Sequence, residues 1–274
     1  MSNFGKLVNF EFRRFLPIFL PLVGILVLSQ VIGAIVFSMR YLSDMERYLI
    51  QGQRTTEDFI LEFGKLSMME VVNSIYFMGP IGVAVVSLLI YLLFIWYRDW
   101  IGKNTFAYRL LTLPTNRLNL FFSKASTIFI FIFGFITIQL IMMPILQFIL
   151  KLFVPVDYRL DMALGAMVQA NYFLSILLPQ TISGFFIHYG LGIVFTIGIF
   201  TMVLLERSYR LIGIGFAFLY VIIVCTFIFT PYYFQYFFHL YTHEAFWLET
   251  SVMIIISVLS IWLSSHLLNN KIRV

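Results

Sequence analysis

The sequence predicts an all-α integral membrane protein with six transmembrane helices. Three observations carry that expectation. Apolar stretches at roughly 15–37, 75–97, 121–150, 181–204, 211–230 and 247–268 each reach the ~20 residues needed to cross a ~30 Å hydrocarbon core. The composition is 61% hydrophobic and 11% charged, less than half the ~25% charge of an ordinary soluble domain. Finally, the charges are sorted by loop. With the N-terminus inside, the inner segments 1–14, 98–120, 205–210 and 269–274, plus Lys124 just within the third span, hold twelve of the 18 basic residues. Only three acids, Glu11, Asp99 and Glu206, accompany them. The outer segments, with Glu249 just within the sixth span, hold six basic and ten acidic residues. Positive-inside bias therefore predicts cytoplasmic termini for a multi-pass protein of the cell membrane. The net charge of +5 reports topology and implies no nucleic-acid partner.

Taken in order, residues 3–14 (NFGKLVNFEFRR) place Phe4, Leu7, Val8 and Phe12 at helical spacing, with Lys6, Asn9 and Arg13 off that stripe. This predicts an interfacial amphipathic helix that turns into the bilayer, Glu11 being an interruption of its stripe. The first span lacks an A-x-A cleavage site and is too long for a signal h-region, so it is expected to be retained. Pro17 and Pro21 each remove a backbone donor and predict a bend near its entry. The outer segment 38–74 carries helical periodicity in two stretches, with Ser43 and Thr56 at N-cap positions and a joint around Gly52. It reads as two short surface helices forming a folded cap over the outer mouth. The segment 151–180 is semi-polar and reads as an interfacial or re-entrant helix. The aromatic run PYYFQYFFHLYTHEAFW suits an interfacial belt. Six spans in 274 residues leave no room for a soluble module, so residues 1–274 form a single transmembrane domain. No repeat relates its halves, and an inverted-repeat carrier gains no support.

The search for chemistry is largely negative. The chain has no phosphate-binding P-loop, no H-E-x-x-H zinc site and no G-x-S-x-G elbow, and no enzyme is expected. His239 and His243, one helical turn apart beside Glu244, could share a metal, but they read more simply as polar tips in the aromatic belt. Ionisable residues within the spans are sparse: Glu249 and His266 lie near helix ends, leaving His188 at midspan. His188 reads as a hydrogen-bonding partner for a neighbouring helix. Cys225, the single cysteine, reads as a small apolar packing residue. A path lined by so few charges suits amphipathic or hydrophobic cargo.

One inner loop stands apart. A helix over Asn104–Leu113 would end before Pro114, with Thr115 and Asn116 capping the next turn. Phe106, Tyr108, Arg109 and Leu110 would then present an apolar-plus-Arg surface of the kind found at interface hot spots. The alternative is a solvated loop whose charges serve topology alone. The stretch Phe106-Ala-Tyr-Arg-Leu-Leu-Thr-Leu-Pro-Thr-Asn-Arg117, followed by Phe122-Ser-Lys124, resembles the inner loop of type-2 ATP-binding-cassette (ABC) exporter permeases. There an LLTLP-x-x-R stretch joins the second and third of six helices. The resemblance implies a coupling helix that docks on a separate ATPase subunit through Phe106, Tyr108, Arg109, Leu110 and Leu111, with Arg117 positioning the loop. Glu206, Arg207 and Arg210 resemble a smaller second contact. It also implies ATP and Mg²⁺ on the partner with no cofactor in this chain, contact with membrane lipid, and a homodimer or a heterodimer with a similar permease. The expected role is export of a peptide, antibiotic or lipid-like substrate. The alternative is a non-transporting immunity or sensory subunit that docks an ATPase.

Overall fold

The computed structural model describes residues 3–52, 55–100 and 116–272. The expected docking residues Phe106, Tyr108, Arg109, Leu110 and Leu111 lie outside them, as does the side chain of Arg210. The long helices are α1 (Asn3–Gly52), α4 (Ile75–Trp100), α5 (Arg117–Phe153), α8 (Ile182–Phe238) and α9 (Thr242–His266). Short helices α2 (Thr56–Phe63), α3 (Met68–Val72), α6 (Leu164–Gln169) and α7 (Tyr172–Leu177) lie between them, and a π-helical turn at Leu267–Lys271 follows α9. Among the described residues, six helices are long and apolar enough to cross a membrane: Phe4–Ile50, Met68–Trp100, Arg117–Phe153, Ile182–Tyr209, Leu211–Phe238 and Thr242–Lys271. It is an all-α, multi-pass membrane protein. Contacts divide it into unit 1 (Met1–Arg14, Leu88–Ile130, Pro179–Val274) and unit 2 (Phe15–Ser87, Phe131–Leu178).

Two of the six spans share the single 57-residue helix α8. A Cβ built on Gly213 would stand 2.5 Å from the Leu205 carbonyl oxygen and 2.9 Å from the Glu206 Cα. Residues eight apart in a straight helix are ~12 Å apart, so the chain doubles back there while its hydrogen bonding stays helical. Gly213 is the residue that lets the two arms meet. Farther along, Ile187, Leu191 and Val194 of the first arm pack with Val224 and Ile228 of the second. Val252, Met253 and Ile256 of α9 complete that cluster. Polar seams add to it: Thr201 Oγ1 lies 2.9 Å from Ser264 Oγ, and Tyr220 OH 2.7 Å from Ser260 Oγ. Small hydroxyls between apolar helices allow this close approach and glue it.

In unit 2, Phe15 and Phe19 of α1 interlock edge-on or tilted with Phe131 and Phe135 of α5, at centroid distances of 4.6–4.9 Å. Deeper along α1, Gln30 Nε2 donates to Gln139 Oε1 at 3.0 Å and Ser29 Oγ donates to the Tyr76 carbonyl at 2.9 Å. Segments 38–74 and 151–180 fold together. Tyr41, Tyr48, Phe59 and Phe63 form an aromatic cluster. Strand β1 (Leu66–Ser67) pairs in parallel with β2 (Arg159–Leu160), and Asn171 Nδ2 donates to Asn73 Oδ1 at 2.8 Å. Lys151 and Arg159, each 3.1 Å from Asp161, hold its carboxyl below the ordinary carboxylate range.

Several expectations need correction. The N-terminal segment is helical, yet it is the start of α1 and not a separate helix, because the helix passes through Pro17 and Pro21 without interruption. Its buried face holds Leu7 and Glu11, so Glu11 belongs to the packed stripe. Ser43 is no N-cap, since α1 continues to Gly52. The cap of α2 is Thr55 and not Thr56: its hydroxyl accepts from the Asp58 N–H, and Asp58 reciprocates with the Thr55 N–H. Segment 151–180 forms no single helix; it breaks into a 3₁₀ turn, β2, α6 and α7. His239 adopts a left-handed conformation after α8, and His243 lies in the first turn of α9. They therefore do not share a helical turn, and His243 Nε2 accepts from the Trp247 indole at 3.1 Å. Cys225 and His188 are exposed on the spanning helices rather than packed inside the chain.

Candidate functional site

Among the described residues, the densest polar constellation lies in unit 1, where the starts of α1 and α5 meet the end of α4. Each element brings its charge by ordinary helical periodicity. Glu11 follows buried Leu7 by four residues, and Asp99 follows buried Ile95 by four. Lys124 lies among buried Leu120, Phe121 and Ile128. Lys124 is 0% exposed, Glu11 1% and Asp99 2%. The Lys124 ammonium donates to Glu11 Oε1 at 2.7 Å, to Asp99 Oδ2 at 2.5 Å and to the Ile95 carbonyl at 3.0 Å. Those three acceptors match its three N–H donors.

Each carboxylate then uses its other oxygen on an arginine. Arg98 donates to Glu11 Oε2 at 2.7 Å, and Arg14 to Asp99 Oδ1 at 2.8 Å. The result is a chain of alternating sign, Arg98–Glu11–Lys124–Asp99–Arg14, with one cation in excess. Its two ends are arginines that are 25% and 30% exposed on their side chains, so the network opens towards the surface through its most easily solvated members. Trp96 lies under the Lys124 ammonium at 5.2 Å and packs on Phe200, which also meets Phe121. An ion network this dry needs its charges paired, and this one uses all four carboxylate oxygens, although among the described residues the Arg98 Nε is buried without a hydrogen-bond partner.

Two further ties lie in the same unit. The Tyr97 hydroxyl donates to Glu206, and the Arg207 guanidinium stands 4.8 Å over the Tyr97 ring. Arg117 donates to the carbonyls of Leu268 and Ile272, the latter at 3.0 Å, and so fastens the start of α5 to the turn after α9. Asn116 accepts from the Leu118 N–H at 3.0 Å and caps α5. Of the expected docking residues, Glu206 and Arg207 thus converge on Tyr97, while Arg117 turns to the C-terminal segment. Tyr97 and the five-charge network escaped sequence reasoning. A signal existed: segments 1–14, 98–120, 205–210 and 269–274 contain only three acids, and each proves to be partnered.

The network has no open nucleophile or general base, because its lysine and both carboxylates are fully engaged. Among the described residues no group of three or more His, Cys, Asp or Glu could hold a metal. Its chemistry is that of a fastener joining three helices. Compared with protein-family models, with curated proteins and with solved structures, the chain gives no significant match.

Proposed function

We propose that this chain is the membrane-spanning subunit of an ABC exporter, driven by ATP hydrolysis on a separate subunit. The observation that carries the reading is how the ends of segment 101–115 are held. On one side Arg98 and Asp99 enter the five-charge network; on the other Arg117 grips the Leu268 and Ile272 carbonyls. Both anchors suit a loop that receives a push from a cytoplasmic partner, and the LLTLPTNR stretch of that loop supports its docking role. A displacement of Asp99 is passed through Lys124 to Glu11, and thus from α4 to α5 and α1. Helices bound this way move as a body between two arrangements, as alternating access requires. Six spans form half a pathway, so two such chains, or one and a similar permease, would assemble around the cargo.

The folded assembly of the two outer segments also favours a second reading, a sensory or immunity subunit that binds a ligand outside and docks the same ATPase. The experiment that separates them uses the complex captured through a tag on this chain and reconstituted into vesicles. Transport predicts ATP hydrolysis stimulated by amphipathic solutes, together with their ATP-dependent accumulation. Hydrolysis without accumulation would favour the sensory subunit, and a washed complex with no hydrolysis would contradict both.

A further inference from the structure

The turn that follows α9 is wider than an α-helix, and the widening frees one carbonyl for a partner. Leu267-Leu268-Asn269-Asn270-Lys271-Ile272 sets three polar residues between apolar ends. Leu267, Leu268 and Ile272 are buried, whereas Asn269, Asn270 and Lys271 are exposed. An α-helix would bond the Ile272 N–H to the Leu268 carbonyl, four residues back. Here the turn is π-helical, and the Ile272 N–H donates to the Leu267 carbonyl, one residue farther back, at 3.1 Å. The Leu268 carbonyl is thereby released, and a buried carbonyl needs another donor. Arg117 supplies it. Its Nη1, which carries two N–H groups, donates to the Leu268 carbonyl and, at 3.0 Å, to that of Ile272. The widened turn is a seat for one guanidinium.

The same turn also reaches the reversal of α8. The Lys271 ammonium stands 5.6 Å from the Tyr209 ring centroid, and that ring meets Phe216 edge-on at 5.3 Å. Tyr209 and Phe216 flank Gly213, where the two arms of α8 come together. Arg117, for its part, opens α5 directly after segment 101–116. We propose that the turn Leu267–Lys271 is a strap joining these two regions. Arg117 holds one side, Tyr209 receives the other, and a displacement of either is passed across. The strap shares no residue with the five-charge network. Its role in transport rests on the coupling reading, since it would bring segment 205–210 into step with segment 101–116; the mechanical link does not. Segment 205–210 has another tie, from Tyr97 to Glu206, so the deciding variants are those that cut the strap alone.

The test is hydrogen–deuterium exchange of the full-length chain in maltoside micelles. Mass spectrometry follows peptides covering 205–213, 267–272 and, as a distant reference, 28–34. Arg117→Met removes the donors and keeps an unbranched stem, whereas Lys271→Gln cuts only the contact with Tyr209. Loss of the hydrogen bonds from a charged donor is expected to speed exchange about tenfold in 267–272 for Arg117→Met, with a rise of at least about twofold in 205–213. Lys271→Gln should speed exchange in 205–213 by itself, and Tyr209→Phe, which keeps the ring, should match wild type. The double variant Arg117→Met with Lys271→Gln should add nothing in 205–213 beyond the larger single effect. Faster exchange confined to 267–272 and the start of α5, or additive effects in 205–213, overturns the strap. Should Arg117→Met speed the reference peptide as well, Arg117→Lys, which keeps a cation for one of the two carbonyls, decides by the same criteria. No ATPase enters the measurement, so failure of the strap is distinguishable from failure of the coupling reading, which the captured complex tests.

Discussion

Lys124 shows how one side chain can hold three elements. Removing its ammonium leaves Glu11 and Asp99 buried with no cation between them, and breaking a buried pair from one side costs ~3–5 kcal/mol. Lys124→Met should therefore lower the unfolding midpoint of the purified protein sharply. Adding Glu11→Leu and Asp99→Leu should recover most of the loss, because Arg14 and Arg98 are partly exposed and can turn to the interface. A Lys124→Met protein as stable as wild type would show that the network contributes no net stability. At this scale the sequence was half legible. Positive-inside bias leads one to expect cations in these segments, but it is silent on their partners. Glu11 read as a flaw in an amphipathic stripe because periodicity ranks residues by polarity, whereas the fold ranks them by what they meet. Glu11, Asp99 and Glu206, rare acids in basic segments, were the clue to pairing.

The number of spanning helices was legible because a run of twenty apolar residues has few other uses in a chain this poor in charge. Their ends were not. Hydropathy marks the stretch suited to hydrocarbon, and α1 extends past it on both sides to 50 residues. The broken elements of segment 151–180 depend on pairing with residues 66–73, a tertiary effect that no local pattern records. The return of α8 at Gly213 was also hidden, since residues 205–213 remain helical by hydrogen bonding. A methyl group at Gly213 must enter the space of the Leu205 carbonyl, whereas Gly215 has nothing within 4 Å. Gly213→Ala should cost ~1–3 kcal/mol as an overpacked contact, and Gly215→Ala should not. Thermal midpoints of the two variants check this, and equal midpoints would remove Gly213 from its role in the reversal.

For the molecule as a whole, orientation comes first. With Cys225, which is exposed, replaced by Ser, Ile50→Cys should react with an impermeant maleimide in intact cells and Asn104→Cys should not. The opposite pattern would put segment 101–115 on the wrong side for a cytoplasmic ATPase. The central claim is that this segment docks the ATPase, and Arg109 tests it most directly. In the proposed docking, Arg109→Glu would set like charges against each other, and such mismatch across an interface costs several kcal/mol. Phe106→Ala would remove the proposed apolar anchor, a loss of ~2 kcal/mol where such a residue is a hot spot. The decisive measurement is the ATP hydrolysis that co-purifies with the tagged full-length chain, at matched membrane levels, for these two variants and for Arg273→Glu as a control of bulk inner charge. The account predicts a loss of at least about tenfold for Arg109→Glu and Phe106→Ala, with Arg273→Glu close to wild type. Full co-purifying activity in both loop variants, or an equal loss in all three, would contradict it.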